Sequence, residues 1–495
     1  MTSFYKSIYK SSLTLLTDFY QLTMAYGYWK SGVSEKKSVF HLYFRKNPFK
    51  SGYSIASGLE LVINYINQFQ FKNEDIEYLK NLKGNDEKNI FEPEFLDYLK
   101  HLKFSCDIDA VEEGTVLFPN EPILRISGPL IQCQLLETPL LNIINFHTLI
   151  TTKAARIVSV ANNIPVLEFG IRRAQGIDGG LSASRAAYIG GCSGTSNTLA
   201  GKIFDIPVKG THSHSWVMAF ENELDSFYAL AKVMPNNVVF LVDTYDTLNG
   251  VKKAIEVGNW LKKQNKKLIG IRLDSGDLAY LSIEARKLLD QSGFKDTIII
   301  ASNDLNEHII SSLNDQGAAI TSWGVGTQLV TAFDEPALGA VYKLAAIQNI
   351  DGTWKHSIKI SEQSIKISTP GILQVRRFYK NNYFFADMIF DTLTEKNEIE
   401  PIIIDPEDIN RFYKIPKECE FEDLLKPIYK NGVQVYQSPK LIETREKCLK
   451  MIDKLHSSIK RLLNPHHYPA GLEKNLFDLK TSLIHKMKDK NNSFS

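Results

Sequence analysis

Short apolar, β-branched runs recur at nearly even intervals through the middle of this 495-residue chain, and that spacing constrains its fold more than any other feature. Runs begin at Val238, Leu268, Thr297 and Thr321, separated by 30, 29 and 24 residues. Each is followed by a polar or Gly-rich turn and then by a segment of helical periodicity. Strand, turn and returning helix together occupy about 30 residues, so the interval is that of successive βα units. Pro165–Phe169 and Ile206–Lys209 extend the series upstream, giving about six detectable strands on the roughly eight-strand template of a β/α barrel. The spacing predicts an α/β chain with a β/α barrel, complete or incomplete, over residues 151–345; a doubly wound sheet has the same period.

The flanks read differently. Residues 1–150 mix a capped helix at Asp18–Trp29, a strand at Val39–Phe44, a helix at Leu59–Phe69 and a hairpin-rich stretch at Val111–Pro129, which predicts an N-terminal α+β domain. Residues 346–495 show shorter strand patterns at Ser357–Ile360, Gly371–Tyr379 and Tyr383–Phe390, then a Pro- and acid-rich stretch at Pro401–Pro406. They predict a C-terminal α+β extension that packs back on the N-terminal domain. The tail from Lys440 carries 12 Lys+Arg against 6 Asp+Glu in helical patterns, read as a solvated basic face.

Composition narrows the function. With 58 Lys+Arg against 56 Asp+Glu, the chain lacks the strongly basic balance of a dedicated nucleic-acid binder, and small-molecule chemistry is expected. Its five cysteines, Cys106, Cys133, Cys192, Cys419 and Cys448, form no CxxC pair and read as reduced structural thiols. The opening segment, with Lys6, Lys10 and Asp18, has no apolar signal region. The richest apolar stretch, Leu130–Ile150, is interrupted by Gln132, Gln134, Glu137, Pro139, Asn142 and Asn145, short of the ~18 consecutive apolar residues of a spanning helix. A cytoplasmic enzyme, with neither nucleic acid nor membrane as partner, is the expectation.

In a β/α barrel the chemistry sits at the C-terminal ends of the strands. The residues after each run converge in kind: Gly170-Ile171-Arg172-Arg173, Gly210-Thr211-His212-Ser213-His214-Ser215, Asp243-Thr244-Tyr245-Asp246, Arg272-Leu273-Asp274-Ser275-Gly276-Asp277, Ser302-Asn303-Asp304 and Gly324-Val325-Gly326-Thr327. The last string suits either a phosphate cradle of backbone N–H groups or a plain turn. Arg272, Asp274 and Asp277 would hold phosphate, ribose hydroxyls or Mg²⁺, or pair among themselves in a salt-bridge network. His212 and His214 lack the third ligand that zinc requires, so a single imidazole acting as nucleophile or base competes with a buried structural histidine. Spacing does not choose between the two. Tyr20 and Phe169 read as core aromatics, and His147, Cys192 and the His466-His467 pair join no constellation.

Taken in order, these strings resemble those of the nicotinate phosphoribosyltransferases. The resemblance rests on Leu15-Leu16-Thr17-Asp18-Phe19-Tyr20-Gln21-Leu22-Thr23-Met24, Glu168-Phe169-Gly170-Ile171-Arg172-Arg173-Ala174-Gln175-Gly176, and the Gly210, Arg272 and Gly324 strings above. Leu463-Asn464-Pro465-His466-His467-Tyr468-Pro469 is similar too. It implies transfer of phosphoribose from phosphoribosyl pyrophosphate to nicotinate, giving nicotinate mononucleotide and pyrophosphate for NAD biosynthesis. ATP would be a co-substrate, Mg²⁺ a cofactor, and the assembly a homodimer with shared sites. By position it implies His214 as the phosphorylated histidine and leaves His212 open. It implies Tyr20, from the partner subunit, and Phe169 stacking on the pyridine ring, reversing the core reading of both.

Arg172, Thr211, Arg272 and Asp304 would contact substrate, Asp274 the ribose, and Gly324, Gly326 and Thr327 the phosphates. Metal contacts would fall to substrate, with Asp274 or Asp277. Ser196 stands where nicotinamide-using relatives carry an aspartate, and an uncharged residue there suits the anionic ring. A nicotinamide-using enzyme and a non-catalytic barrel scaffold are the alternatives; a quinolinate-using relative would lack the phosphohistidine motif.

Overall fold

The computed structural model describes residues 12–394 and 401–492. Lys6, Lys10 and the last three residues of the basic tail lie outside them. The chain forms two compact units: Ile150–Pro336 is one, and Met1–Leu149 with Ala337–Ser495 is the other. Both mix helices with sheets, and no described helix is long and apolar enough to cross a membrane.

Unit Ile150–Pro336 carries the repeating pattern. Its strands are β1 (Val166–Glu168), β2 (Gly194–Thr195), β3 (Val239–Leu241), β4 (Gly270–Leu273), β5 (Ile298–Ala301) and β6 (Ser322–Val325). Every ladder is parallel and the spatial order is β2-β1-β6-β5-β4-β3, with Trp323 opposite Val166 and Ile298 opposite Gly270. Ile271, Leu273, Ile299, Ile300, Trp323 and Val325 are all buried, as in parallel sheets covered on both faces, whose strands therefore read as apolar runs.

Helices α1 (Gly176–Ile189), α2 (Thr247–Lys262), α3 (Leu278–Gln291) and α4 (Glu307–Asp315) follow the strands. Asp246, Asp277 and Asn306 cap the last three, each side chain accepting a backbone N–H of the first turn. The C-terminal half of helix Glu137–Ser159 is fixed by buried ion pairs: Lys153 lies 2.9 Å from Glu307 and 2.8 Å from Asp334, and Arg156 2.9 Å from Glu307.

Two strand expectations change here. Ile206–Lys209 forms a single bridge, Val208 to Thr195, rather than a strand, since Pro207 brings no N–H to a ladder. Gly194–Thr195, too short for any apolar periodicity, is a strand instead. No ladder joins the Val208 segment to β3 among the described residues, so closure of the sheet into a barrel is not detected. At that seam the Leu241 N–H donates to Nε2 of His212 at 3.0 Å.

The other unit is antiparallel for the most part, and both chain ends build it. Strand Lys37–Tyr43 lies between Val341–Gln348 and Leu124–Pro129, and Asp107–Val111 pairs with Leu425–Lys430. A second sheet aligns Leu373–Lys380 with Tyr383–Asp391, and adds Ala470–Glu473 and Ile402–Ile404. Phe378, Met388, Phe390, Ile403 and Ile415 pack as its core.

Three local readings are corrected. Ser357–Ile360 is not a strand; Trp354–His356, just before it, is. The Pro- and acid-rich stretch contains strand Ile402–Ile404, whose isoleucines outweigh the flanking prolines. Helix Phe19–Lys30 starts as expected after Asp18, but that carboxylate accepts from the Thr138 hydroxyl at 2.7 Å instead of capping the helix.

Candidate active site

The strand ends of Ile150–Pro336 bring most of the expected residues to one polar cluster. Arg272, at the end of β4, is its hub. Its Nε donates to Ser302 Oγ at 2.8 Å, one terminal nitrogen to Thr211 Oγ1 at 3.1 Å, and the other to Asp274 Oδ1 at 2.7 Å. Its guanidinium carbon lies 5.9 Å from the centre of the Phe169 ring. Ser302, after β5, also donates to Asp274. Burial raises the Asp274 carboxyl's pKa, but the Ser302 hydroxyl and the Arg272 guanidinium outweigh it and hold it below the ordinary aspartate value.

His214 opens the five-residue helix His214–Met218 and is half-exposed. Nε2 lies 3.7 Å from Asp274 Oδ2 and 4.0 Å from Asp243 Oδ1, while Nδ1 faces Thr244 Oγ1 at 3.1 Å. The imidazole therefore sits between two carboxylates with solvent access, the setting a nucleophilic nitrogen needs. Asp243 was expected on the strand-end rim but with no role of its own. Its Oδ2 accepts from the Asp274 N–H and the Ser275 hydroxyl, both at 2.7 Å, while Oδ1 is buried with no hydrogen-bond partner. The signal was in the sequence, since Asp243 lies two residues past β3 and Asp274 one past β4.

His212 differs from its neighbour. Nε2 accepts the Leu241 N–H and Nδ1 faces the Ser213 carbonyl at 3.2 Å, which fixes the neutral tautomer protonated on Nδ1. Burial lowers its pKa, in keeping with that neutral state. A histidine with both ring nitrogens engaged and one facing two carboxylates thus stand two residues apart.

Phe169 and its surroundings form the apolar side. A Cβ on Gly324 would stand 2.7 Å from the Phe169 ring, so Gly324 is a strand residue whose missing side chain makes room for that ring, not part of a turn. Gly326 and Thr327 follow at the start of the four-residue helix Thr327–Val330. Glu168, unnoticed in the sequence, is buried beneath this corner and takes hydrogen bonds from the Gly170 N–H, the Ser184 hydroxyl at 2.8 Å and the Thr195 hydroxyl. Burial raises its pKa despite those donors. It ties β1, β2 and α1 together below Arg172 and Ser196, whose N–H donates to the Glu168 carbonyl at 2.9 Å.

The remaining residues are less tightly placed. Arg172 is exposed on a short 3-10 turn. Asn303 and Asp304 both take left-handed φ values, 98° and 29°, in an exposed turn after β5, a conformation found at functional strand ends. Asp277 is the cap of α3, with Oδ1 accepting the Tyr280 N–H at 3.0 Å, so one oxygen already has a structural duty. Tyr20 belongs to the other unit, where its ring is 48% exposed rather than core. No group of three or more His, Cys, Asp and Glu side chains among the described residues could hold a metal ion.

Comparison with known proteins matches three family models along the chain. The nicotinate phosphoribosyltransferase N-terminal domain matches residues 15–145, the family model 164–383 and the C-terminal domain 373–480. The nicotinate phosphoribosyltransferase of Bacillus subtilis is 42% identical over 491 residues, covering 97% of this chain and 96% of its own length. One from Dictyostelium discoideum is 38% identical, covering 94% and 87%. The crystal structure of human nicotinic acid phosphoribosyltransferase superposes with a TM-score of 0.83 at 28% identity, over 94% of this chain and 99% of that one. The chain belongs to the nicotinate phosphoribosyltransferase family.

Proposed function

We infer that this enzyme joins the phosphoribosyl group of phosphoribosyl pyrophosphate to nicotinate in an ATP-coupled step, yielding nicotinate mononucleotide and pyrophosphate for NAD biosynthesis in the cytoplasm. The placement of His214 between Asp243 and Asp274, with Arg272 beyond, carries this reading. An imidazole nitrogen there accepts a phosphoryl group from ATP, while the two carboxylates hold the ring's orientation and balance the charge it gains. Arg272 and Arg172 attract the anionic ring and phosphates, and Asp274 takes the ribose hydroxyls and faces the positive charge developing at C1. Asp304, Thr211 and the Gly326-Thr327 turn complete the substrate contacts.

Mg²⁺ fits this donor set as a substrate-borne ion. The orphaned Asp243 Oδ1 lies beside Asp274, so two carboxylates are available while substrate phosphates and water would supply the other ligands. The ion would neutralise the leaving pyrophosphate.

The strand neighbours of Ile150–Pro336 follow one another cyclically except at the Val208–β3 seam, which supports an incomplete β/α barrel. On the sequence the barrel spans 151–345, between an α+β domain at 1–150 and an extension at 346–495 that folds with it. A homodimer in which the partner's Tyr20 covers the Phe169 side of the ring fits the exposure of Tyr20. Mixing Tyr20→Ala with His214→Ala chains would then restore activity, and no recovery despite proven subunit exchange would count against sharing.

The direct test is product formation with nicotinate, nicotinamide and quinolinate, with and without ATP. Nicotinate alone is expected to turn over, because Ser196 brings no carboxylate against it. His214→Ala should abolish ATP hydrolysis in a folded protein; wild-type ATPase activity in that variant would sink the phosphohistidine. Turnover of nicotinamide would favour the amide-using alternative, and turnover of no ring the scaffold.

A further inference from the structure

His212 has no duty in the chemistry described above, yet it stands between two residues that do, Thr211 and His214. Its ring meets a backbone donor that the sheet leaves over. Strand β3 is the edge of the parallel sheet, with β4 as its neighbour on one side and no ladder on the other among the described residues. The Val238 carbonyl accepts the Ile269 N–H at 3.0 Å, and the Val242 N–H donates to the Arg272 carbonyl at 3.2 Å, so these positions face β4. Backbone groups alternate sides along a strand, which turns the Leu241 N–H to the open edge. Leu241 is 1% exposed, and a buried N–H on an unpaired edge needs an acceptor. Nε2 of His212 is that acceptor, at 3.0 Å.

The segment that leads to His212 is held on its other side by β2. Thr195 donates its N–H to the Pro207 carbonyl at 3.0 Å and accepts that of Lys209 at 2.9 Å. Beyond Lys209 the loop is loosely walled, since a Cβ on Gly210 would meet no atom within 4 Å. Ties to the following strands then run from Arg272 to Thr211, from Leu241 to His212 and from Thr244 to His214. The first and last involve Arg272 and His214, side chains that exchange internal bonds for substrate. The middle tie ends on a backbone N–H and stays when the others open. Its register matters as well: His214 lies two residues past His212, and Asp243 and Thr244 two and three past Leu241, so fixing one pair sets the other. Burial, with the nearby charges of Arg272 and His214, keeps the ring neutral against the pull of the Ser213 carbonyl, which preserves Nε2 as an acceptor.

We propose that His212 is a positioning residue: its imidazole occupies the open edge of β3 and locks the loop of Thr211 and His214 onto that strand, so that His214 faces Asp243 and Asp274. The proposal rests on His214 as the phosphoryl acceptor. Its test compares the full-length wild type with His212→Leu, which keeps bulk but no acceptor, and His212→Gln, whose amide oxygen restores an acceptor near the place of Nε2.

Amide hydrogen exchange at Leu241 reads the bond itself, whatever His214 does. Exchange is expected to quicken in His212→Leu and to stay slow in His212→Gln. The kcat of ATP hydrolysis reads the consequence: a fall of about tenfold to a hundredfold in His212→Leu, with KM for ATP and nicotinate within about twofold of wild type, and recovery in His212→Gln. A bond that serves stability alone would lower the urea midpoint of His212→Leu and leave kcat per folded molecule intact, and that result would overturn the proposal. So would unchanged exchange at Leu241, or a glutamine variant no better than the leucine one. His214→Ala, run alongside, separates the two readings. Wild-type ATP hydrolysis in that variant ends the phosphohistidine, and the lock is then decided by exchange at Leu241 and by kcat for nicotinate mononucleotide formation. Should His212→Leu fail to fold, His212→Ala takes its place in every comparison.

Discussion

Each unit contains an arginine, an aspartate and a hydroxyl bound together, and the two sets differ in one respect. In the unit built from the chain ends, Arg377 and Asp387 pair with both side chains at 0% exposure, and the Tyr468 hydroxyl completes the set. In Ile150–Pro336, Arg272, Asp274 and the Ser302 hydroxyl make the same bonds at 15% and 25% exposure for the charged pair. Burial would lower the Arg377 guanidinium's pKa, but Asp387 beside it raises it instead, so the sealed guanidinium keeps its charge with no route to solvent. A closed set can only hold the fold together. An open one can exchange an internal bond for a ligand, which is what a substrate site requires.

Removing one partner from each pair would separate the two roles. Asp387→Ala leaves a guanidinium buried without its counter-charge and is expected to cost about 3–5 kcal/mol of stability, read by urea unfolding. A change under about 1 kcal/mol there would mean the sealed pair is no more structural than the open one.

Arg272→Ala should instead leave the folded chain close to wild type in stability. It should lower kcat/KM for nicotinate about tenfold to a hundredfold, measured at saturating phosphoribosyl pyrophosphate. Unchanged kinetic constants would remove Arg272 from the site.

The smallest effect is a pH dependence. Because the folded Asp274 carboxyl ionises below its ordinary value of 3.8, its contribution to stability is present above that value and is lost as the pH falls through the lower, folded one. Asp274→Asn is therefore expected to cost at most ~1 kcal/mol at pH 7, and nothing once wild-type Asp274 is itself protonated. Unfolding curves between pH 7 and pH 2.5 would show it, and a cost that persists undiminished in acid would mean packing, not charge, is what Asp274 supplies.

The sequence showed the open set and hid the closed one, for physical reasons. Arg272, Asp274 and Ser302 stand at the ends of apolar runs and His214 in the loop after one, so strand spacing gathers them. Arg377, Asp387 and Tyr468 lie within or beside strands whose alternation leaves no sign that an interior position holds charge. Asp243 was gathered by the same strand-end rule, but nothing in the spacing told its role beside His214 from that of the other rim acids. Glu168 was not, because a carboxylate inside an apolar strand is explained by Ser184 and Thr195, which reach it only once the chain is folded. His212 and His214 show the limit most plainly: spacing did not separate them, only the family resemblance did, and the physical difference is the Leu241 N–H that occupies His212.

Sheet order also bears on how the chain is made. Ile150–Pro336 is a continuous stretch, so all its strands are synthesised before the final third is translated. Strand Asp107–Val111 must instead wait for Leu425–Lys430, and Lys37–Tyr43 for Val341–Gln348. During synthesis the apolar faces of those early strands lack their late partners, and non-local pairing of this kind is slow and prone to aggregation. The inserted unit can thus be finished while the one that brackets it is still half made, and a chain truncated before Leu425 would leave one edge of Asp107–Val111 without its partner.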